Sequence, residues 1–166
     1  MKILYLHGLE SKLNDNKRSV LERYGEVIAP DLDYSTDSNI IQTLYNKYHH
    51  QDIDVVLGSS MGGFTGFYLA AQMGISALLF NPALPYRSTV QTVPEEMASF
   101  SRPVHIVLGV LDPIIKYSDT RDFLRQHHME HDVTVHLRDD LEHQIPLHVF
   151  DEEVNLFFSE LKPANF

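Results

Sequence analysis

Short apolar runs alternate with amphipathic stretches along the whole chain, and that alternation restricts the fold more than any single motif. KILYLH (2–7), VIAPDL (27–32), DVVLG (54–58), ALLFN (77–81), VHIVLG (104–109) and VTVHL (133–137) read as strands, rich in β-branched and apolar residues. Between them, residues 15–24, 38–49, 61–73 and 118–128 place apolar side chains at helical intervals. Phe150, Val154, Phe157, Phe158 and Leu161 form the stripe of a last helix. Strands that are apolar on both faces and separated by helices predict a mainly parallel sheet of about six strands, covered on both sides through right-handed crossovers. The expected architecture is therefore a three-layer α/β/α sandwich. Pro30 marks the second strand as an edge or as ending early. Gly25 is expected to cap the first helix at its C-terminus, and Ser118 or Asp119 the fourth at its N-terminus.

Residues 1–166 are expected to form one domain, because no repeat, linker or low-complexity tract interrupts the pattern. A net charge of −10 argues against nucleic acid and anionic membrane surfaces as partners. With no cysteine, disulfides, thiolate catalysis and cysteine-based zinc sites are excluded. No apolar run approaches a membrane span, and MKILYLHG lacks the length and cleavage site of a signal peptide. A soluble, cytoplasmic protein is the expectation; nothing in the chain points to an oligomeric state.

Chemistry concentrates where DVVL ends in GSSMGG (58–63). Ligand sites in parallel α/β sheets lie at the C-terminal ends of strands, and this stretch joins such an end to a helix. GSSMG fits G-x-S-x-G, whose sharp strand-to-helix turn lifts the central serine, Ser60, above the sheet. The N–H of Met61, opening the helix, would face developing negative charge. G-x-G-x-x-G is absent because Ser60 stands where a glycine is required, and no Gly-Lys-Ser/Thr supports a phosphate loop. The plain alternative is a glycine-rich turn.

A nucleophilic serine needs a base and an orienting carboxylate, in the chain order Ser, Asp, His for this motif. VHIVLGVLDP puts Asp112 just past a strand, and VTVHLRDDLEHQIP puts His143 in the loop before the final helix. Both fall on the rim that carries Ser60. His148 is the rival base, and Asp139, Asp140 and Glu142 are rival carboxylates. His105 and His136 lie within strands, and His7 is assigned a structural role. HHMEH (127–131) fits an inverted zinc-protease pattern, but it sits where a helix must end, so a solvated terminus is the expectation and no metal is assigned. Phe64, Phe67, Tyr68 and Met73 are expected in the core, with some able to line an acyl pocket.

ILYLHG, GSSMGG, LGVLDPII and EHQIP together resemble the α/β-hydrolase superfamily, and specifically its small lidless YqiA-type esterases. The likeness runs in order along nearly the whole chain. It implies a minimal hydrolase fold without a cap domain, Ser60 as nucleophile, His143 as base and Asp112 as orienting acid. It further implies that Gly8 and Leu9 border the substrate and that the N–H of Leu9 joins that of Met61 in an oxyanion hole. The implied activity is hydrolysis of a small or short-acyl ester or thioester through an acyl-enzyme, with no cofactor. Acyl transfer by the same residues, or a non-catalytic binding protein on the same fold, remain the alternatives. With only about twenty residues between the fourth and fifth strands, no cap can roof the site, and a shallow cleft favouring short acyl groups is expected, with at most a short helix at 94–100.

Overall fold

The computed structural model describes residues 1–95 and 99–161. Six strands form one sheet: β1 (Lys2–Leu6), β2 (Glu26–Ile28), β3 (Val55–Ser59), β4 (Ser76–Phe80), β5 (Val104–Gly109) and β6 (Thr134–Arg138). Every pairing is parallel, in the spatial order β2-β1-β3-β4-β5-β6. Five helices connect or follow them: α1 (Asp15–Glu22), α2 (Ile40–Tyr48), α3 (Met61–Met73), α4 (Tyr117–Gln126) and α5 (Leu147–Glu160).

Alternation along the strands separates two cores. Leu4, Leu6, Val56, Leu79, Ile106 and Leu108 point to the face covered by α2, α3 and α4. Ile3, Tyr5, Leu57, Leu78, Phe80 and Val107 point to the face covered by α1 and α5. The α/β/α sandwich expected from the apolar periodicity is thus what forms. The chain moves from β1 outward to β2, then returns to lay β3 on the other side of β1, so strand order reverses between β1 and β3. Loops leaving neighbouring strands at such a point diverge and open a crevice. Both GSSMGG and the segment after His7 leave the sheet there.

Helix α3 is buried along both faces from Met61 to Ala71, which its apolar composition permits, and it stops at Gly74 in the left-handed conformation (φ 65°). Phe64, Phe67 and Tyr68 lie in the core as expected.

Several local expectations are corrected. Helix α1 ends at Glu22 with Arg23 as its cap, so Gly25 is not the terminator. Glycine is required there because a Cβ would lie 2.1 Å from the carbonyl oxygen of Met1, which accepts the Glu26 N–H. Lys116, rather than Ser118 or Asp119, caps α4, and no side chain bonds that terminus. Strand β2 is an edge strand that closes at Ile28, ahead of Pro30, so the longer 27–32 run shortens for the reason proline implies. A helix at 94–100 falls on residues 96–98, outside the described residues. Among the described residues the β4–β5 connection contains no helix, and no helix is long and apolar enough to cross a membrane.

Candidate active site

Ser60 occupies the single residue between β3 and α3, with φ 53° and ψ −114°. An L-residue rarely adopts that conformation, and here three backbone hydrogen bonds fix it. Its N–H donates to Phe80 O (3.0 Å), and its carbonyl accepts from Phe64 N (2.9 Å) and Ala83 N (3.0 Å). The flanking glycines follow from close approach. A Cβ on Gly58 would lie 2.3 Å from Gly62 O, and one on Gly62 would lie 1.9 Å from Leu6 O. The turn therefore packs backbone against backbone, and the serine hydroxyl emerges above it.

His143 and Asp112 complete a connected row. His143 Nδ1 donates to Asp112 Oδ2 at 2.8 Å, and Nε2 lies 3.1 Å from Ser60 Oγ. A carboxylate can only accept, so Nδ1 carries the hydrogen and Nε2 of the neutral ring is left to accept from the serine hydroxyl. The other oxygen of Asp112, Oδ1, accepts the N–H groups of Ile114 (2.8 Å) and Ile115 (2.9 Å). Asp112 is buried, with its carboxylate held by two amides and one imidazole. The structure thus brings together the three side chains singled out in the sequence.

Rivals for these positions are accounted for elsewhere. Asp140 binds Arg138 through both oxygens, and the guanidinium beside it holds its carboxyl below the usual range. Asp139 and Glu142 are exposed, and His148 is exposed on α5. His7 donates from Nδ1 to Gly8 O (2.7 Å) and accepts the Leu32 N–H at Nε2 (2.8 Å), which ties the loop after β1 to the segment after β2. That is the structural role expected of it. His136 contacts Glu153, and His105 is buried between β6 and α5. The HHMEH stretch begins at the C-cap of α4, His127, and runs beyond the helix with His128 at φ 56°, so its histidines do not share a helix face. Among the described residues, no group of three or more His, Asp or Glu side chains is arranged to hold a metal ion.

The loop after β1 closes the other side of the site. A Cβ on Gly8 would come within 3.4 Å of Ser60 Cβ, and Leu9 borders the same cavity as Ser60 and Met61. Neither the Leu9 N–H nor the Met61 N–H donates to a described protein atom. The cavity holds about 770 Å³, within the range of small-molecule sites, and Leu9, Tyr86, Ile114, Ile115, Ile145 and Leu147 give it an apolar border. With no cap helix among the described residues, the site is nevertheless not small.

One residue escaped the reading of the sequence. Asn81, read there as the end of β4, lies one position beyond the Ser59–Phe80 pair and adopts φ 41°. It is 1% exposed. Its Nδ2 donates to the carbonyls of Glu142 (2.8 Å) and His143 (3.3 Å), and its Oδ1 accepts the Gly109 N–H (2.8 Å). One amide side chain thus joins the loop carrying Asp112 to the loop carrying His143. The available signal was a polar residue at a strand's C-terminal end on the same rim as Ser60.

Comparison with known families adds one decisive match: residues 2–110 fit the model of the uncharacterised protein family UPF0227. The chain belongs to UPF0227. The matched stretch includes the Ser60 turn and Asn81, and ends before Asp112 and His143. No curated protein matches the sequence. Solved structures resemble this UPF0227 chain throughout its length. Arabidopsis thaliana SOBER1 superposes with a TM-score of 0.73 at 12% identity, covering 98% of this chain and 99% of its own. A putative hydrolase of the α/β superfamily from Xanthomonas campestris pv. campestris gives 0.67 at 19% identity, over 96% and 99% of the two chains. Zea mays acyl-protein thioesterase 2 gives 0.59 at 18% identity, over 97% and 94%. The UPF0227 chain therefore has an α/β-hydrolase-like fold, shared with proteins named as esterases and thioesterases.

Proposed function

We propose that this UPF0227 protein is a serine hydrolase that cleaves carboxylic esters or thioesters of small molecules through an acyl-enzyme on Ser60. The observation that carries the reading is the continuous row from Ser60 Oγ to His143 to Asp112, at 3.1 and 2.8 Å, on a strained turn beside a cavity. The esterase and thioesterase names among its structural neighbours support the same class.

His143 Nε2 takes the hydroxyl proton as Ser60 Oγ attacks the substrate carbonyl, and Asp112 stabilises the imidazolium that results. The oxyanion forms toward the N–H groups of Met61 and Leu9, whose donors are not taken up by other described residues; each such donor is worth on the order of 10²- to 10³-fold in rate. His143 returns its proton to the departing alkoxide or thiolate. Water, deprotonated by His143, then attacks the acyl-enzyme, and Ser60 regains its proton as the acid leaves. Strand β3 and the first turn of α3 hold the nucleophile, while Asn81 keeps the acid and histidine loops in register.

The test is hydrolysis of p-nitrophenyl butyrate by the wild type and by Ser60→Ala and His143→Ala. Turnover lost in both variants, which remain folded by circular dichroism, is expected. Equal turnover in the wild type and Ser60→Ala would overturn the assignment, and no turnover in any of them would favour a non-catalytic binding protein.

A further inference from the structure

The cavity beside Ser60 departs in charge from the protein that surrounds it. The chain carries 23 acidic against 13 basic residues. Yet the described residues lining the cavity include Lys12, Lys17 and Arg87 and no Asp or Glu. Lys12 is answered by Asp31 at 3.1 Å, in a pair open to solvent. Lys17 and Arg87 have no carboxylate within ion-pair distance among the described residues.

Elsewhere among the described residues the cations are paired with carboxylates or stand in solvent: Lys47, Arg102, Lys116 and Arg121 are exposed without an ion pair, and Lys2 donates to Gln51 O. Arg138 meets Asp140, Glu152 and Glu153, Arg23 meets Asp151, and Arg125 meets Asp122. Lys17, in the first turn of α1, is half-buried with its ammonium 5.4 Å from the centre of the Phe150 ring. Burial holds that ammonium below the ordinary lysine range. The Arg87 guanidinium stacks 4.2 Å from the centre of the Phe64 ring and makes one weak bond, to Leu84 O at 3.3 Å. Taking part of a cation out of water without a counter-ion is unfavourable, and a cleft lined by one sign of charge concentrates ligands of the other. In a protein this acidic, two half-buried cations on the wall of one cavity, neither with a carboxylate partner among the described residues, amount to a recognition element for an anion.

We propose that the substrate of this site is an ester or thioester bearing an anionic group, a carboxylate or phosphate, which Lys17 and Arg87 hold while Ser60 attacks the carbonyl. The proposal rests on the hydrolase reading of Ser60. The anion can belong to the acyl group or to the leaving group, and matched pairs of substrates separate the two sources. On the acyl side, p-nitrophenyl hydrogen glutarate is compared with p-nitrophenyl pentanoate, which has the same chain length and no charge. On the leaving side, 4-acetoxybenzoate is compared with its methyl ester.

In one pair or the other, kcat/KM of the wild type for the anionic member should exceed that for the neutral member by about tenfold, the equivalent of about 1.4 kcal/mol. That ratio should shrink toward one in Lys17→Met and in Arg87→Gln, and should also fall in the wild type as salt is raised, since salt screens exposed charges. Met preserves the apolar stem over Phe150, so lost packing does not explain the change. Neutral members preferred in both pairs, or a ratio unmoved by either substitution, would overturn the proposal while leaving Ser60-dependent turnover of the pentanoate ester to support the hydrolase reading. Absence of Ser60-dependent turnover on every substrate would overturn both.

Discussion

Replacing Asn81 separates the two contributions that this residue makes. Its side chain holds two hydrogen bonds at 2.8 Å and a third at 3.3 Å, all in a site 1% exposed. Asn81→Gly deletes them but tolerates φ 41°, so the change reads the hydrogen bonds and the lost packing, together with the entropy that glycine adds to the unfolded chain, and no backbone strain. Two good bonds at roughly 1 kcal/mol each, with part of the desolvation penalty of the orphaned Gly109 N–H and Glu142 carbonyl, predict a loss of about 2–4 kcal/mol. Asn81→Ala makes the same deletion and adds a left-handed β-carbon, costing roughly 1 kcal/mol more. Urea denaturation followed by circular dichroism measures both. Because Asn81 acts by positioning His143 and Asp112, kcat for p-nitrophenyl butyrate should fall on the order of 10- to 100-fold in the glycine variant, with little change in KM. A glycine variant within about 0.5 kcal/mol of wild type would refute the role assigned to these bonds. A stability loss with kcat unchanged would restrict Asn81 to holding the fold.

Three further outcomes are expected. Ser60→Gly should raise stability by about 1 kcal/mol while abolishing activity, because relief of a strained φ of 53° outweighs the entropy that glycine adds to the unfolded chain; a destabilised variant in urea denaturation would remove the strain argument. His105 is held below its ordinary value of 6.5, chiefly by burial and also by His136, while Glu160 and Glu153 oppose the shift. The unfolded chain therefore binds more protons than the folded one as pH falls through that range, and stability drops. His105→Gln should lose less stability than wild type between neutral pH and pH about 5 in denaturant titrations, and an equal or steeper loss would contradict this. On p-nitrophenyl esters of two to twelve carbons, kcat/KM should not climb beyond butyryl by the ~0.8 kcal/mol that each fully buried methylene would add. The residues bordering the cavity, Leu9, Ile114 and Leu147, stay 38–53% exposed, and a maximum at ten or twelve carbons would show a deep acyl tunnel instead.

The layers of this fold were legible in the sequence because its central strands, β1, β3, β4 and β5, are buried on both faces and so read as continuous apolar runs. Ser60 was legible because its turn needs glycine at fixed offsets, a local constraint that the chain displays directly. Asp112 and His143 could be placed only by position, each in a loop at a strand's C-terminal end, and three acids beside His143 competed with Asp112 until distances separated them. Helix ends were the weak point. Lys116 caps α4 with no side-chain bond, and Gly25 serves an approach to Met1 that depends on β2 pairing, so neither carried a local signature. Asn81 joins loops whose contacts are 28 and 61 residues away in sequence, and no local pattern announces such a bridge. The gathering of Lys17 and Arg87 on one cavity wall was invisible for the same reason: which side chains share a wall is a property of the folded surface.

The central claim is that Ser60 is an activated nucleophile. A fluorophosphonate probe reacts with such a serine and leaves ordinary hydroxyls unmodified. Incubation of the wild-type protein with the probe, followed by intact-mass and peptide mass spectrometry, should show one adduct, located on Ser60. The adduct should be lost in Ser60→Ala and strongly slowed in His143→Ala. An unmodified wild-type protein, or an adduct that persists in Ser60→Ala, would contradict the account.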